Sequence, residues 1–388
     1  MDSWIKVRLA DVCSSISDGD HLPPPKCESG IPFVTISDIK NNKFDLSNTR
    51  FVPKTYFDTI DEKRRIRKGD VLYSVVGSYG IPVYADKDLE VAFQRHIAIL
   101  KPSDTVDSRF LYYSMLNPAF YNAADNVAIG AAQKTITLAA LRNLQIPLPP
   151  LPVQRRIADV LSAYDDLIEN NRRRIAILEE TVRLAYRKWF GMVEEGRTAT
   201  LGEIADVVMG QSPESKTYND NGEGLPFHQG VTGFGFRYPR NEMWCTAGTR
   251  FAEEGDILFS VRAPVGRINV AGERIVIGRG LSAMRAKNGF QSWLLYALKH
   301  HFSKEDMIGV GCIFASTTKK ELLSVELPFP SDEEIAAFEQ IAGPIDAQIK
   351  TLSKQNAALA AARDMLLPRL MKGESATQLK CNQKKRNK

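Results

Sequence analysis

The sequence predicts an α+β protein: a tandem duplication of an α/β domain plus a long helix, with the two helices pairing as an antiparallel coiled coil. Three observations carry this. The second half of the chain repeats the first half in order. Each half opens with short β-branched and aromatic runs punctuated by Gly and Pro. Each half then closes with a proline cluster that leads directly into a long apolar repeat of helical spacing. At 388 residues the chain also exceeds what a single core ordinarily covers.

The repeat can be followed element by element. "LADV" at Leu9–Val12 returns as "IADV" at Ile204–Val207, and "GIPF" at Gly30–Phe33 as "GLPF" at Gly224–Phe227. "GDVLYSVVGSYG" from Gly69 to Gly80 returns as "GDILFSVRAPVG" from Gly255 to Gly266, and "FLYYSML" from Phe110 as "WLLYALK" from Trp293. The offset drifts from 195 to 181, as loop insertions would produce. Two long copies exclude a solenoid of short repeats. Within the first copy, "IPFVTI", "DVLYSVV" and "VAFQRHIAIL" read as strands. "SRFLYYSMLNPAFYNAA" reads as a helix and "TLAALRNL" as a shorter one. "IPLPPLPVQRRI", Ile146–Ile157, then sets a rigid extended entry to the long helix, and "LPFPSDEEI", Leu327–Ile335, does so in the second copy. The expected boundaries are 1–146 and 192–327 for the α/β domains, 147–191 and 328–373 for the helical regions, and 374–388 for a basic disordered tail.

The helices carry a narrow seam. Apolar positions fall at alternating spacings of 4 and 3 through Ile157, Leu161, Tyr164, Ile168, Asn171, Ile175, Leu178, Val182, Ala185 and Trp189. The second copy follows, at offset 181, from Phe338 to Leu370. Sustained over several heptads, this predicts a coiled-coil seam about 50 Å long at 1.5 Å per residue. An antiparallel pair related by the duplication joins residues whose numbers sum to 527. That rule places Ile157 with Leu370, Leu161 with Leu366, Ile175 with Leu352, and Trp189 with Phe338. It sets Tyr164 opposite Arg363, its ring shielding the guanidinium stem, and Asn171 opposite Asn356 as the polar pair that fixes register.

Composition excludes several function classes. No apolar run reaches the length of a membrane span, and "MDSWIKVRLADV" lacks a signal-peptide core. Cys13, Cys27, Cys245, Cys312 and Cys381 form no CxxC pair, which argues against a zinc site or a disulfide framework and fits a reducing cytoplasm. A net charge of +5 permits a nucleic-acid partner without demanding one. "NPAF" at Asn117–Phe120 resembles an amino-methyltransferase signature, but its second proline and a Gly-rich cofactor turn are missing, so it reads as a proline-bearing stretch of helix. "IGRGLSA" at Ile277–Ala283 precedes a strand rather than a helix and reads as a β-turn. There is neither a P-loop nor an HExxH. Asp165–Asp166 and Glu333–Glu334 read as solubilising charge on exposed helix faces. No catalytic or metal-ligating constellation emerges and no cofactor is expected, which points to a binding or assembly protein.

The matched loops are the candidate contact sites for nucleic acid. They pair Ser78 and Tyr79 with Arg262 and Arg267, Arg95 and His96 with Arg279, and Gln133 and Lys134 with Thr317 and Lys319. These are residue types that meet phosphates and base edges. Framework residues are shared between the copies while the loop tips differ, so two similar scaffolds would read two different things.

On the duplicated unit, the "GDVLYSVVG" and "GDILFSV" strands, and above all "IPLPPLPVQRRIADVLSAYDDLIENNRRRI", the chain resembles the specificity subunit of type I restriction–modification enzymes over nearly its whole length. The resemblance implies two target-recognition domains, each reading half of a split sequence in double-stranded DNA. It further implies that two methyltransferase subunits dock here and that motor-nuclease restriction subunits join them. Methyl donor, ATP and Mg would then sit on the partners, and the chain itself would be non-catalytic. "PSDEEIAAFEQIAG" departs from the "QRRI" entry of the first helix. A non-catalytic DNA-binding scaffold, or the specificity subunit of another methyltransferase–nuclease system, is the alternative. A stiff helical rod would act as a ruler holding two readers in successive major grooves, about 34 Å apart.

Overall fold

The structure is a computed structural model that describes residues 4–131, 133–191, 197–305 and 316–374. The expected basic tail beyond Glu374, with Cys381, and also Cys312, lie outside the described residues. The chain forms two compact units, Met1–Glu169 with Asn356–Lys388, and Asn170–Gln355. The long helices run Leu151–Phe190 and Asp332–Leu370, about 60 Å each at 1.5 Å per residue, and the division between units falls within both.

The first unit is built on a four-stranded antiparallel sheet in the order Cys13–Asp18, Ile97–Pro102, Val71–Ser74, Pro82–Tyr84. Ile97–Pro102 lies between two neighbours and begins with four consecutive buried residues, as an apolar strand covered on both faces must. A second layer pairs Ile31–Val34 in parallel with Ala92–Phe93. The second unit repeats the frame with Ala205–Met209, Leu281–Ala286, Ile257–Ser260 and Ile268–Val270, and with Leu225–His228 parallel to Ile275–Ile277. Its polar fittings repeat too. Asp70 accepts from the Arg67 amide and pairs with Lys101 at 2.8 Å; Asp256 accepts from the Glu253 amide and pairs with Arg285 at 2.7 Å.

Several expected elements are shorter or shifted. "VAFQRHIAIL" is two strands, Ala92–Phe93 and Ile97–Pro102, separated by a turn over Gln94–His96. The helix expected through "NPAF" breaks at Asn117, because a residue before proline is driven to extended ψ, here 132°. Asn117 Oδ1 then accepts from the Ala119 amide at 3.1 Å and caps the helix Pro118–Asn126, a structural role for the motif. The "LADV"/"IADV" alignment is off by three residues. The equivalent of the helical turn Leu9–Val12 is Leu201–Ile204: Leu9 and Leu201 are both fully buried and donate their amides to Leu144 and Val325. The buried leucine and the acid two residues later set the position, not the string of letters.

Each proline entry follows a strand that closes its unit: Gln145–Leu148 pairs with Ile5–Arg8, and Glu326–Pro328 with Thr198–Thr200. In the first, the buried Gln154 clamps the helix start, accepting from the Asp107 amide and donating to the Pro149 carbonyl, both at 2.8 Å. The second helix starts instead on a capping box in which Ser331 and Glu334 satisfy each other's amides, so Glu334 is a cap rather than loose charge.

Within each unit the long-helix segments run antiparallel. In the first, Ile157 and Leu161 share a core with Leu366, Leu367, Leu370 and Met371. In the second, Ile175 and Leu178 cluster with Ile349 and Leu352, and Trp189 meets Phe338 edge-on at 6.2 Å. The Trp189–Phe338 contact and the grouping of Ile175 with Leu352 agree with the 527 rule. Toward its end the first helix rotates its buried face: Tyr186 and Phe190 are buried while Trp189 is 40% exposed, because this end packs on Tyr296 and Trp293 of the domain as well as on the partner helix. Asp165 is no solubilising charge. It accepts from the Tyr113 hydroxyl at 2.6 Å and forms an ion pair with Arg363. Arg363 is therefore neutralised by a carboxylate. Asn171 is buried in the second unit; Asn356 belongs to the first, where its buried Oδ1 has no hydrogen-bond partner among the described residues.

Candidate nucleic-acid interface

At one end of each four-stranded sheet, three loops separated in sequence are drawn together by backbone hydrogen bonds. In the first unit Val75 donates to the His96 carbonyl at 2.8 Å, Ile136 donates to Val75 at 2.8 Å, and Gly77 donates to Lys134 at 3.2 Å. Ser78–Tyr79, Arg95–His96 and Gln133–Lys134 therefore share one edge. In the second unit Val261 donates to Gly280 at 2.9 Å and Thr317 to Val261 at 2.8 Å, gathering Arg262, Arg279, Thr317 and Lys319 in the same way. The buried serines Ser74 and Ser260 hold the adjoining turn, accepting from the amides of Ile81 and Arg267 at 2.8 Å each. On this frame Thr317 corresponds to Ile136, and at the same offset the counterparts of Gln133 and Lys134 fall outside the described residues.

A fourth loop, after the first strand of each sheet, joins this edge and was missed in the sequence. Gly19 donates to Ile97 at 3.2 Å and Asp20 to Phe93 at 2.6 Å; Gly210 donates to Leu281 at 2.9 Å and Gln211 to Ile277 at 3.0 Å. A Cβ on Gly19 would lie 2.2 Å from the Phe93 carbonyl oxygen, and one on Gly210 2.1 Å from that of Gly278, so only glycine permits the approach. A glycine at the same place in "SDGD" and "VVMG" was the available clue.

The side chains on these loops differ in character. In the first unit, a cavity of about 380 Å³ is lined by residues including His21, Leu22, Arg50, Gln94, Arg95 and His96. Leu22 is 81% exposed, an apolar side chain offered to whatever enters. Asp20 is neutralised by Arg64 at 2.7 Å and accepts a hydrogen bond from the Tyr56 hydroxyl at 2.7 Å. Arg50 lies over the Phe33 ring at 4.4 Å, and among the described residues neither Arg50 nor Arg95 pairs with a carboxylate. Burial, reinforced by the Arg95 charge, holds the His96 imidazole below its ordinary pKa, so at neutral pH it presents one donor and one acceptor. Tyr79 is not a free tip: its hydroxyl donates to Asp125 and its ring stacks on Tyr121 with planes 3° apart. Lys134 also reaches Asp125, at 2.6 Å, so Asp125 ties two of the loops. The Asp125 hydrogen bond and burial push the Tyr79 hydroxyl up to about 12. Ser78 and Gln133 are exposed.

In the second unit the glycines Gly278 and Gly280 press on Gln229, and Ser212 donates to Gln229 Oε1 at 2.8 Å while accepting from the Arg279 amide at 3.2 Å. Arg262 and Arg279 are exposed, with no ion pair among the described residues, and Arg267 and Lys319 are exposed as well. Among the described residues there is no cluster of His, Cys, Asp and Glu able to hold a metal ion, and no helix is long and apolar enough to cross a membrane.

Two frames that repeat their hydrogen bonds and vary their loop tips define a two-headed recognition protein. A family model described as the type I restriction modification DNA specificity domain matches residues 1–180 and again 194–359, and the chain belongs to that family. The chain is 29% identical, over 96% of its length and 94% of the relative's, to the putative type I restriction enzyme MjaX specificity subunit of Methanocaldococcus jannaschii. It is 24% identical to the HindI specificity subunit of Haemophilus influenzae over 56% of this chain and 50% of that one. The crystal structure of a type I restriction–modification S subunit from M. genitalium has the same fold, with a TM-score of 0.58 at 21% identity and 95% and 96% coverage.

Proposed function

We propose that this chain is the DNA-recognition subunit of a type I restriction–modification complex and that each unit reads one half of a split target. The observation that carries the reading is the loop edge built twice on one set of backbone hydrogen bonds but furnished with different side chains. A constant frame with variable tips suits two half-sites of different sequence, since each base pair offers the major groove its own donor and acceptor pattern. The long helices join the readers, and their exposed faces, rich in Arg and Glu, are the surface on which methyltransferase subunits dock, with motor-nuclease restriction subunits completing the assembly. The chain itself carries out no reaction; methyl donor, ATP and Mg belong to the partners. Methylation-aware sequencing of DNA from cells expressing the chain with its cognate methyltransferase tests this. A split motif methylated in both halves is expected, and a continuous motif, or none, would refute it.

A further inference from the structure

The loop edges of the two units can be superposed through their hydrogen bonds, which sets residues opposite one another without reference to sequence similarity. Gly19 takes the place of Gly210, Val75 of Val261, Gln94 of Gly278, and His96 of Gly280. Across the loops 20–22, 76–79 and 94–96 the side chains then diverge almost completely. Asp20 faces Gln211, His21 faces Ser212, and Leu22 faces Pro213. Val76 faces Arg262, Ser78 faces Pro264, and Tyr79 faces Val265; Gln94 and His96 face glycines. Arg95 and Arg279 are the exception. The same side chain stands at the same point of the same turn in both units.

Both arginines are held from below in the same way. The turn that carries each is closed by the bond from Ile97 to Gln94 at 3.1 Å, or from Leu281 to Gly278 at 3.0 Å, and is pinned by the close approach of Gly19 or Gly210. Both side chains are exposed and, among the described residues, without a carboxylate partner. Such a guanidinium is preorganised at its base and keeps its full charge for a ligand.

We propose that Arg95 and Arg279 are equivalent phosphate contacts that seat each unit on the DNA backbone, while the residues that differ around them read the bases. This rests on the DNA-reading function proposed above. Half-sites of different sequence share nothing at their base edges that demands a common side chain, whereas the phosphodiester backbone is common to both. Arg279 is on this account a positioning residue and not a base reader.

The test uses the full chain and randomised duplex DNA. The preferred target is first selected with the unaltered protein; binding to that target and to a scrambled duplex is then measured from low to moderate salt. Arg95→Ala and Arg279→Ala should each weaken binding about tenfold on both duplexes and lower the slope of log K against log salt by about 0.9. Arg95→Lys should recover much of the loss, and the bases selected should not change. Gln94→Ala and Leu22→Ala, by contrast, should alter the selected bases of one half-site. If Arg95→Ala or Arg279→Ala relaxes selection at a particular base, or leaves the salt slope unchanged in a protein whose thermal transition is intact, the phosphate assignment is overturned while DNA reading stands. If the unaltered chain selects no sequence, both fall together.

Discussion

Arg237 is the most consequential buried charge in the second unit. Its guanidinium is 4% exposed and donates to Glu179 at 2.7 Å, to Asp346 at 2.5 Å and to the Tyr296 hydroxyl at 3.2 Å, with Lys299 also bonded to Glu179. Glu179 and Asp346 come from the two long helices and Arg237 from a loop, so one side chain ties three segments of the unit. Arg237→Met would strand Asp346 without its ion-pair partner and leave Glu179 with Lys299 alone. Breaking a buried pair from one side costs about 3–5 kcal/mol; the surviving Lys299 contact places this case near the lower end. At about 2–4 °C per kcal/mol for a unit of this size, the thermal transition of the second unit should fall by roughly 6–12 °C, read by calorimetry on the full chain. Neutralising the stranded acid as well, in Arg237→Met with Asp346→Asn, should recover a good part of the loss, because Glu179 keeps Lys299 and the cost lies in the uncompensated charge. A single variant that melts like the unaltered protein would show that water already solvates these carboxylates, and the reasoning would fail.

Further expectations concern the frame and the readers. His228 is buried against Asn241, and burial depresses its pKa; stability from its neutral form is therefore complete above the unfolded value of about 6.5 and lost as pH falls through the lower folded value. Melting followed from pH 8 to pH 5 should show a decline that is shallower in His228→Gln. Gly19→Ala, whose Cβ would meet backbone oxygens at 2.2 and 2.4 Å, should cost about 1–3 kcal/mol in chemical denaturation, whereas Gly230→Ala, with open space around it, should stay within about 0.5 kcal/mol. Exchanging residues 1–148 for those of a relative keeps the pairing of Ile5–Arg8 with Gln145–Leu148; it should change one half of the methylated motif and leave the other. Alanine at Arg262, which is exposed in the second unit, should relax selection in that half-site only, in the same sequencing readout.

The sequence by itself determined the duplication and the position of both long helices. Those features are written in local periodicity and in strings such as "GDVLYSVVG" and "GDILFSV", where each residue's environment depends on neighbours a few positions away. It also singled out three of the loops as candidate contact sites, because the two copies could be compared with each other; that they share one edge was decided by the structure. The tertiary structure decided what depends on partners far along the chain. That Asp165 is an ion-pair acid and not surface charge depends on Arg363, 198 residues away. That Tyr186 and Phe190 turn inward and Trp189 outward depends on Tyr296 and Phe338, packed from two sides, where a seam alone would have buried position 189. The loop after Gly19 joined the recognition edge because Phe93 and Gln94 come within carbonyl contact of it, an approach that a single glycine in the sequence permits but does not announce. The match of Arg95 with Arg279 was legible in the sequence, but that both stand at the same point of one hydrogen-bonded turn was decided by bonds between distant strands.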